Sequence, residues 1–530
     1  MGGFPVEHNK KLNEKLPENT QSYWRDSVNL PEFPHLDENL SADVVIVGGG
    51  ITGLTSAYLL VKEGLKVVVL EAGKLVNGTT GHTTAKVTAQ HGLIYDELMH
   101  NFGENKAKLY YEANEEALRF IKETVKQNSI ECDFSIQDAY LYAGTSQYAG
   151  KLEKEAEAYE RLGINGGLID RIPFDIDIQK ALVMKDQAQF HPVKYLAHLI
   201  QDITNKGGLI FENTTCVNIE TGEHPTVLTQ RGSRVQGSYI LSCSHFPFYE
   251  GAGLYSTRMH ADRSYVLAAK TKKTFPGGMY CNVDEPARSL RSVMINGEEM
   301  VLIIGENHKT GQGKDTIEHY NALEKFGEDV LGLEKVLYRW SAQDLVTLDK
   351  IPYIGKITSD VPNVLIATGF RKWGMTNSTA AALLFRDIVQ KKSNHYEDLY
   401  SPSRFNAHPS LKNFLLDNAD VVGHLIKGKL DKPTKNVEDL AKDEGAAITI
   451  NGHRKGAYRD AEGELHIVDT TCTHIGCEVE WNSGDRTWDC PCHGSRFSYT
   501  GEVVEGPAEK PLQRHDHRML DNLTSEDSGY

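Results

Sequence analysis

No apolar run in this 530-residue sequence approaches bilayer length. The longest, such as residues 43–47 and 67–70, are strand-sized, so no integral membrane segment is expected. The N-terminus lacks the marks of an export signal. Residues 1–41 are polar, with Lys10, Lys11 and Lys15 but no apolar core and no twin arginine, which makes a cytoplasmic location the expectation. Positive charge is the scarcer sign: 57 Lys and Arg against 73 Asp and Glu leave a net charge of −16. Such a chain repels nucleic-acid phosphate and anionic lipid, which argues against both as partners. Cysteine is sparse, eight in all, and unevenly placed. Cys132, Cys216, Cys243 and Cys281 are scattered, whereas Cys472, Cys477, Cys490 and Cys492 crowd into one short stretch. In a cytosolic chain that crowding points to metal or redox chemistry before a disulfide scaffold.

The hydrophobic content of 40% supplies ample core, and the length predicts several domains. Residues 42–395 alternate strand-like and helix-like stretches, the pattern of an α/β domain. Over residues 411–426, Leu411, Phe414, Leu415, Val421, Val422, Leu425 and Ile426 recur at helical spacing, and the polar stretch 427–435 with Pro433 reads as a linker. Runs at 447–451, 455–459 and 464–469, with a hairpin turn at 460–463, predict a small all-β domain. The expected division is an arm (1–41) whose Tyr23 and Trp24 pack onto the body, an α/β domain (42–395), a helical connector and linker (396–434) and a β domain (435–530).

The strongest early motif is Gly48-Gly49-Gly50-Ile51-Thr52-Gly53, a G-x-G-x-x-G between a continuous apolar strand (43–47) and a helix that ends at Gly64. Gly48 allows the tight turn, Gly50 lets the backbone approach a pyrophosphate, and Gly53 brings helix against strand. The free N–H groups and dipole of a helix N-terminus favour phosphate there. Glu71 closes the next strand, where a carboxylate accepts hydrogen bonds from ribose hydroxyls. This fingerprint alone does not separate FAD from NAD.

The surrounding sequence resembles the glycine/D-amino-acid-oxidase type of flavoprotein in several separate pieces. Residues 206–217 look like that family's returning strand, with the backbone near Val217 expected to touch adenine. Residues 237–243 look like the strand that closes this half. Asp349-Lys-Ile-Pro-Tyr-Ile-Gly355 resembles the family's Asp-Gly-x-Pro-x-Ile-Gly turn, with Lys350 in place of the usual glycine. Residues 364–369, then Gly374, Met375 and Thr376 before a helix from Asn377, resemble the joint beneath the flavin O2, where Gly369 ends the strand. The resemblance implies FAD and a Rossmann-like binding domain (about 42–95, 195–258 and 341–395) interleaved with an α+β substrate domain (about 96–194 and 259–340). A helix N-terminus at that joint would stabilise the anionic edge of reduced flavin.

Residues 78–85, with Thr80 and His82, resemble the segment of dimethylglycine-type dehydrogenases whose histidine bonds covalently to flavin. Gly81 stands where that group usually carries an aromatic residue. Covalent attachment through His82 and simple contact both remain open at this stage. Glycine-oxidase-like members place a carboxylate-binding arginine at the strand–helix joint. Lys372 falls at that register and Arg371 beside it. Residues 259–266, with Arg263 and Tyr265, and Tyr353 are further expected flavin-face or substrate residues.

The second motif is Cys472-Thr-His474-Ile-Gly-Cys477 and, further on, Cys490-Pro-Cys492-His493-Gly-Ser495. Two thiolates and two imidazoles also suit zinc. The C-x-H and C-x-x-H pattern, however, resembles the Rieske [2Fe–2S] domain. That likeness implies Cys472 and Cys490 on one iron, His474 and His493 on the other, and a Cys477–Cys492 disulfide bracing the two loops. Gly506-Pro507-Ala508 resembles the loop that covers the cluster. Ser495 matches a hydroxyl that hydrogen-bonds a bridging sulfide, whereas Phe497 stands where tyrosine is common, so one donor to the cluster is missing.

Both domains together resemble a bacterial group that joins an amino-acid-oxidase-like flavoprotein to a C-terminal Rieske domain. The expected function is an FAD-dependent dehydrogenase. It would take a hydride from a small amine or amino-acid-like substrate and pass electrons singly through the cluster to an unknown acceptor. A redox-sensing or electron-shuttling protein without substrate turnover is the alternative. A Rieske oxygenase would need a mononuclear iron site in a large domain after the cluster, and too little chain follows His493.

Overall fold

The computed structural model describes residues 16–404, 407–430, 433, 435–450 and 452–515. The lysines at 10, 11 and 15, the side chains of Leu411 and Ile426, residues 431, 432 and 434 of the expected linker and residues 516–530 lie outside it. The chain divides into two compact units. The first comprises Met1–Tyr255, Ser264–Asn307 and Tyr320–Leu411, and the second Ser256–Arg263, His308–His319 and Lys412–Tyr530.

In the first unit, an eight-stranded sheet has Cys216–Glu220 and Thr226–Thr229 branching from Arg234–Ser242, and its six other strands run in the order Tyr353–Thr358, Val361–Thr368, Arg234–Ser242, Leu40–Val47, Val67–Leu70, Leu209–Phe211. From Val361–Thr368 onward these strands are parallel. All four residues of Val67–Leu70 are buried, as are Val44 to Val47, because helices cover such a sheet on its faces. The helix Ile51–Lys62, buried from Ile51 through Val61, packs against the helix Gly374–Val389. That second helix begins at Gly374, three residues earlier than the sequence predicts, with Trp373 as its N-cap. Gly374, Met375 and Thr376 therefore form a first helical turn rather than a loop.

A nine-stranded sheet takes Ser135–Ala143, Lys180–Gln189, Met279–Asn282 and Arg288–Ile295 from the spans expected to form the substrate domain, and also Lys86–Val87, which the sequence reading assigned to the FAD-binding part. The helices Glu104–Gln127 and Ser146–Leu162 lie in the same unit. Two aromatic residues of the expected arm pack into the core of this unit. Tyr23 and Trp24 are buried, and the Trp24 indole donates to the Thr83 carbonyl at 2.6 Å.

The second unit holds two four-stranded sheets. One orders Glu444–Ile450, His453–Arg459, Leu465–Asp469 and Arg514–His515, and the other Glu480–Asn482, Thr487–Asp489, Arg496–Ser498 and Val503–Glu505. Asp460 makes the expected hairpin turn by accepting from Gly463 N at 2.8 Å and Glu464 N at 2.7 Å. The expected connector contains a short helix, Glu397–Tyr400, and a long one, Ala407–Leu430, which takes in the first four residues of the expected linker and whose Val421 and Leu425 pack on the core that holds the four clustered cysteines.

Candidate functional site

The glycine cradle is shaped by what its backbone must approach. Gly48 has φ +113, and a Cβ there would overlap the Cys243 carbonyl. A Cβ on Gly53 would overlap the Gly48 carbonyl, so only glycine lets this helix meet the strand turn. Gly50 caps the helix without a side-chain bond, and Thr80 Oγ1 accepts from Ile51 N at 3.1 Å. Glu71 Oε2 accepts from Gly49 N at 2.7 Å and Oε1 from Gly73 N at 2.9 Å. Burial pushes the Glu71 carboxyl upward against the pull of those donors. Val217 falls where the strand Cys216–Glu220 slips register against Thr226–Thr229, and such a bulge leaves backbone outside the ladder. A cradle closed to a Cβ at Gly48 and Gly53, a helix N-terminus whose N-cap glycine makes no side-chain bond and a carboxylate at the second strand's end fit a dinucleotide's pyrophosphate and ribose.

The segment carrying His82 is held from three directions. Ser22 donates to the Gly81 carbonyl, Trp24 to Thr83, and Trp340 Nε1 to the His82 carbonyl at 2.8 Å. His82 Nδ1 lies 2.9 Å from the Gly78 carbonyl. Gly81 has a local reason for lacking an aromatic side chain, because a Cβ there would overlap the Val76 carbonyl and crowd Arg25.

At the strand–helix joint, Gly369 has φ +77, and beyond Phe370 the side chains of Arg371 and Lys372 act on different neighbours. Arg371, at φ +54, acts electrostatically on His91 and Tyr110, and its Nη1 is buried with no hydrogen-bond partner among the described residues. Lys372 is exposed and acts on Lys86. His91, which the sequence reading missed, stacks on Trp373 at 4.9 Å and contacts Tyr110 OH at 2.7 Å, the Thr88 carbonyl at 2.8 Å and Thr376 Oγ1 at 3.2 Å. Burial, assisted by Arg371, lowers its pKa to about 3, so the ring is neutral. No local sequence signal marks it; only the fold brings residues 88, 110 and 376 around it.

Other expected residues have packing roles. Tyr265 is fully buried, edge-on to Tyr320 at 4.9 Å. Tyr353 is buried beneath the Arg404 guanidinium, 4.4 Å from its ring. Asp349 accepts two bonds of 2.8 Å from Arg404, and Lys350, where the family has glycine, adopts φ +64 and pairs with Glu97 at 2.6 Å. Arg263 differs from expectation. It belongs to the second unit, where its fully buried guanidinium donates to Glu505 at 2.8 Å and lies within 4 Å of Asp485 and Asp489. Three carboxylates outbid any flavin-facing role for this side chain.

The cysteine loops converge within the second unit. Cys477 and Cys492 form a disulfide with Cα atoms 6.5 Å apart, and Cys472 and Cys490 are free and buried. The two free thiols hydrogen-bond each other. That bond, with backbone donors from His474 and Ile475 and the Ser495 hydroxyl, pulls Cys472 down, while Cys490 is driven up by the same neighbour and by burial. His474 and His493 rings lie 5.1 Å apart, and burial lowers both, His493 to about 4, so both are neutral. His493 Nδ1 is buried without a hydrogen-bond partner among the described residues. Two thiol sulfurs and a buried ring nitrogen lacking a partner fit a metal centre. The Cys477, Cys490 and Cys492 sulfurs lie within 4.8 Å of one another, but disulfide sulfurs are not thiolate ligands. Ser495 Oγ also accepts from Ala508 N at 3.0 Å, tying the covering loop to the centre.

Comparison with known proteins matches residues 43–388 to the FAD dependent oxidoreductase (DAO) family and residues 432–516 to the Rieske [2Fe-2S] domain. The chain belongs to the FAD-dependent oxidoreductase family. This oxidoreductase is 53% identical to the Rieske 2Fe-2S iron-sulfur protein YhfW of Bacillus subtilis (strain 168), over 96% of this chain and 99% of that protein. It is 23% identical to the gamma-glutamylputrescine oxidoreductase of Escherichia coli (strain K12), over 72% of this chain and 92% of that one. Its fold is similar to that of glycine oxidase from Geobacillus kaustophilus, with a TM-score of 0.60 and 16% identity over 69% of this chain and all of the other. The expected family, fold class and cofactors, FAD and a [2Fe–2S] cluster, are thereby confirmed.

Proposed function

We propose that this oxidoreductase is a dehydrogenase for a small amine or amino-acid-like substrate, acting in the cytoplasm and delivering electrons singly to a separate acceptor. The reading rests on one observation above all. A single polypeptide carries both a glycine cradle closed to a Cβ at Gly48 and Gly53 and a set of two free thiols with a buried imidazole nitrogen that has no partner among the described residues. Bound FAD supplies a two-electron acceptor and the cluster a one-electron carrier. The names of two similar proteins, an oxidoreductase of gamma-glutamylputrescine and a glycine oxidase, support an amine or amino-acid substrate.

The chain's own residues would divide the work as follows. The backbone of Gly48, Gly50 and Gly53 with Thr80 receives pyrophosphate, Glu71 the ribose, and the bulge at Val217 the adenine. The turn Gly374, Met375 and Thr376 aims helix N–H groups at the flavin's electron-rich edge. Neutral His91 fixes that turn through Thr376. Cys472 and Cys490 bind one iron and His474 and His493 the other, while the disulfide holds the two loops together. Lys372 orients an acidic substrate group.

Anaerobic mixing with a panel of amines, N-methyl amino acids and D-amino acids tests the reading. Bleaching of the flavin followed by the EPR signal of a reduced Rieske cluster is expected. Silence across the panel would leave the sensor or shuttle alternative standing.

A further inference from the structure

Cations in an acidic chain ordinarily find carboxylates, and Lys74, Lys185, Lys194, Lys309 and Lys350 of this protein do. One group in the first unit does not. Lys86 opens the short strand Lys86–Val87, which pairs with the end of Lys180–Gln189. Its Nζ donates to the Ser289 hydroxyl, whose own proton goes to the Tyr280 carbonyl at 2.6 Å. Arg291, on the same strand as Ser289, is buried and donates to three neutral carbonyls: Thr84 at 2.9 Å, Ala85 at 2.9 Å and Ser292 at 3.0 Å. Lys372, close enough to act on Lys86, has no ion pair among the described residues. Arg371 beside it keeps its buried Nη1 without a partner. The groups acting on Lys86 are Cys281, Arg291 and Lys372, and none is a carboxylate. A desolvated lysine with a buried arginine behind it, an exposed lysine beside it and no carboxylate among them is stabilised by an anion that arrives as ligand.

We propose that Lys86, seated on Ser289, is a further substrate-binding residue that with Lys372 receives an acidic group, so the site takes amines that bear a carboxylate and rejects simple alkylamines. This deepens the dehydrogenase reading and rests on it for the word substrate. The pair supplies charge-assisted hydrogen bonds to the carboxylate, while Arg291 behind it adds positive potential and repels a cationic tail. Burial, aided by Arg291 and Lys372 and opposed by Cys281, lowers Lys86 to about 8. An arriving carboxylate raises it again. Near pH 8, where Lys86 is half-protonated, binding takes up about half a proton, and affinity declines as pH rises further.

The test uses the FAD-loaded full chain and non-oxidisable probes, acetate, propionate and glutarate, read by perturbation of the flavin spectrum. Calorimetry in buffers of different ionisation enthalpy reads the proton uptake. Lys86→Met should weaken carboxylate binding roughly 10- to 100-fold and abolish the uptake, and Lys86→Arg should retain most of the affinity. Equal carboxylate affinity in wild type and Lys86→Met overturns the assignment, as does binding without proton uptake. So does a Lys86→Met variant that changes flavin retention but not carboxylate affinity. Wild type that binds no carboxylate, or is bleached by alkylamines but by no amino acid, also overturns it and leaves the dehydrogenase reading intact. Carboxylate binding through Lys86 with no compound ever reducing the flavin keeps the subsite and removes the dehydrogenase.

Discussion

Replacing Arg263 by methionine isolates a single buried charge of the second unit. Arg263 and Arg496 together face Asp485, Asp489 and Glu505. The two guanidiniums leave this cluster one negative charge in excess, and the variant leaves two. Burial works against Arg496, but Asp489, Asp485 and Glu505 outweigh it and hold its guanidinium far above the ordinary value, a measure of the field these carboxylates make. Arg263 is fully buried, so water cannot replace it. Removing one partner of a buried ion cluster costs about 3–5 kcal/mol, which for a unit of this size lowers its melting temperature by roughly 10 °C. Scanning calorimetry of the holoprotein, following the transition of the iron-sulfur unit, measures the loss. Arg263→Met combined with Glu505→Gln restores the charge balance and should recover a large part of it. A loss below about 1 kcal/mol, or strict additivity of the two substitutions, would refute the argument that the network's charge, not its volume, sets the stability.

Four further outcomes are expected. Gly53→Ala should yield protein purified largely without flavin, because the new methyl group occupies the space of the Gly48 carbonyl; absorbance of the purified variant checks this. His91 is neutral in the fold with a pKa near 3 against an ordinary 6.5. The stability it contributes is therefore complete above pH 6.5 and is lost as pH falls toward 3. His91→Gln should flatten the slope of denaturant stability over that window by up to a few kcal/mol. Phe497→Tyr should raise the cluster's reduction potential by adding a donor near the cysteine sulfurs, and an unchanged EPR-monitored titration would count against it. Cys477→Ser with Cys492→Ser opens a loop of 15 residues and should cost about 3 kcal/mol, read as faster loss of the cluster's visible absorbance on warming.

Local patterns made much of this protein readable in advance. Glycine spacing between an apolar strand and a helix, an acid at the next strand's end, and paired C-x-H and C-x-x-H runs each impose geometry over a few residues, so the cradle and the cysteine loops were legible. Helix starts were less so. The helix Gly374–Val389 begins before its predicted residue because Trp373, not a polar cap, ends the preceding turn. The Gly81 anomaly became intelligible only once Val76 and Arg25 were seen against it.

Composition, periodicity and motif spacing by themselves pointed to several domains, a dinucleotide cradle and a cysteine cluster suited to metal or redox chemistry; the resemblance to known families then supplied FAD and the [2Fe–2S] cluster. Tertiary structure alone decided that Arg263 serves the acidic cluster near the cysteine loops, that Arg371 and Lys372 act on different neighbours, that His91 is set among Tyr110, Trp373 and Thr376, and that Lys86 is seated on Ser289. The reason is range. A motif records what adjacent backbone must do, whereas the charge and solvation of a side chain depend on residues hundreds of positions away, which only the folded chain brings within reach of one another.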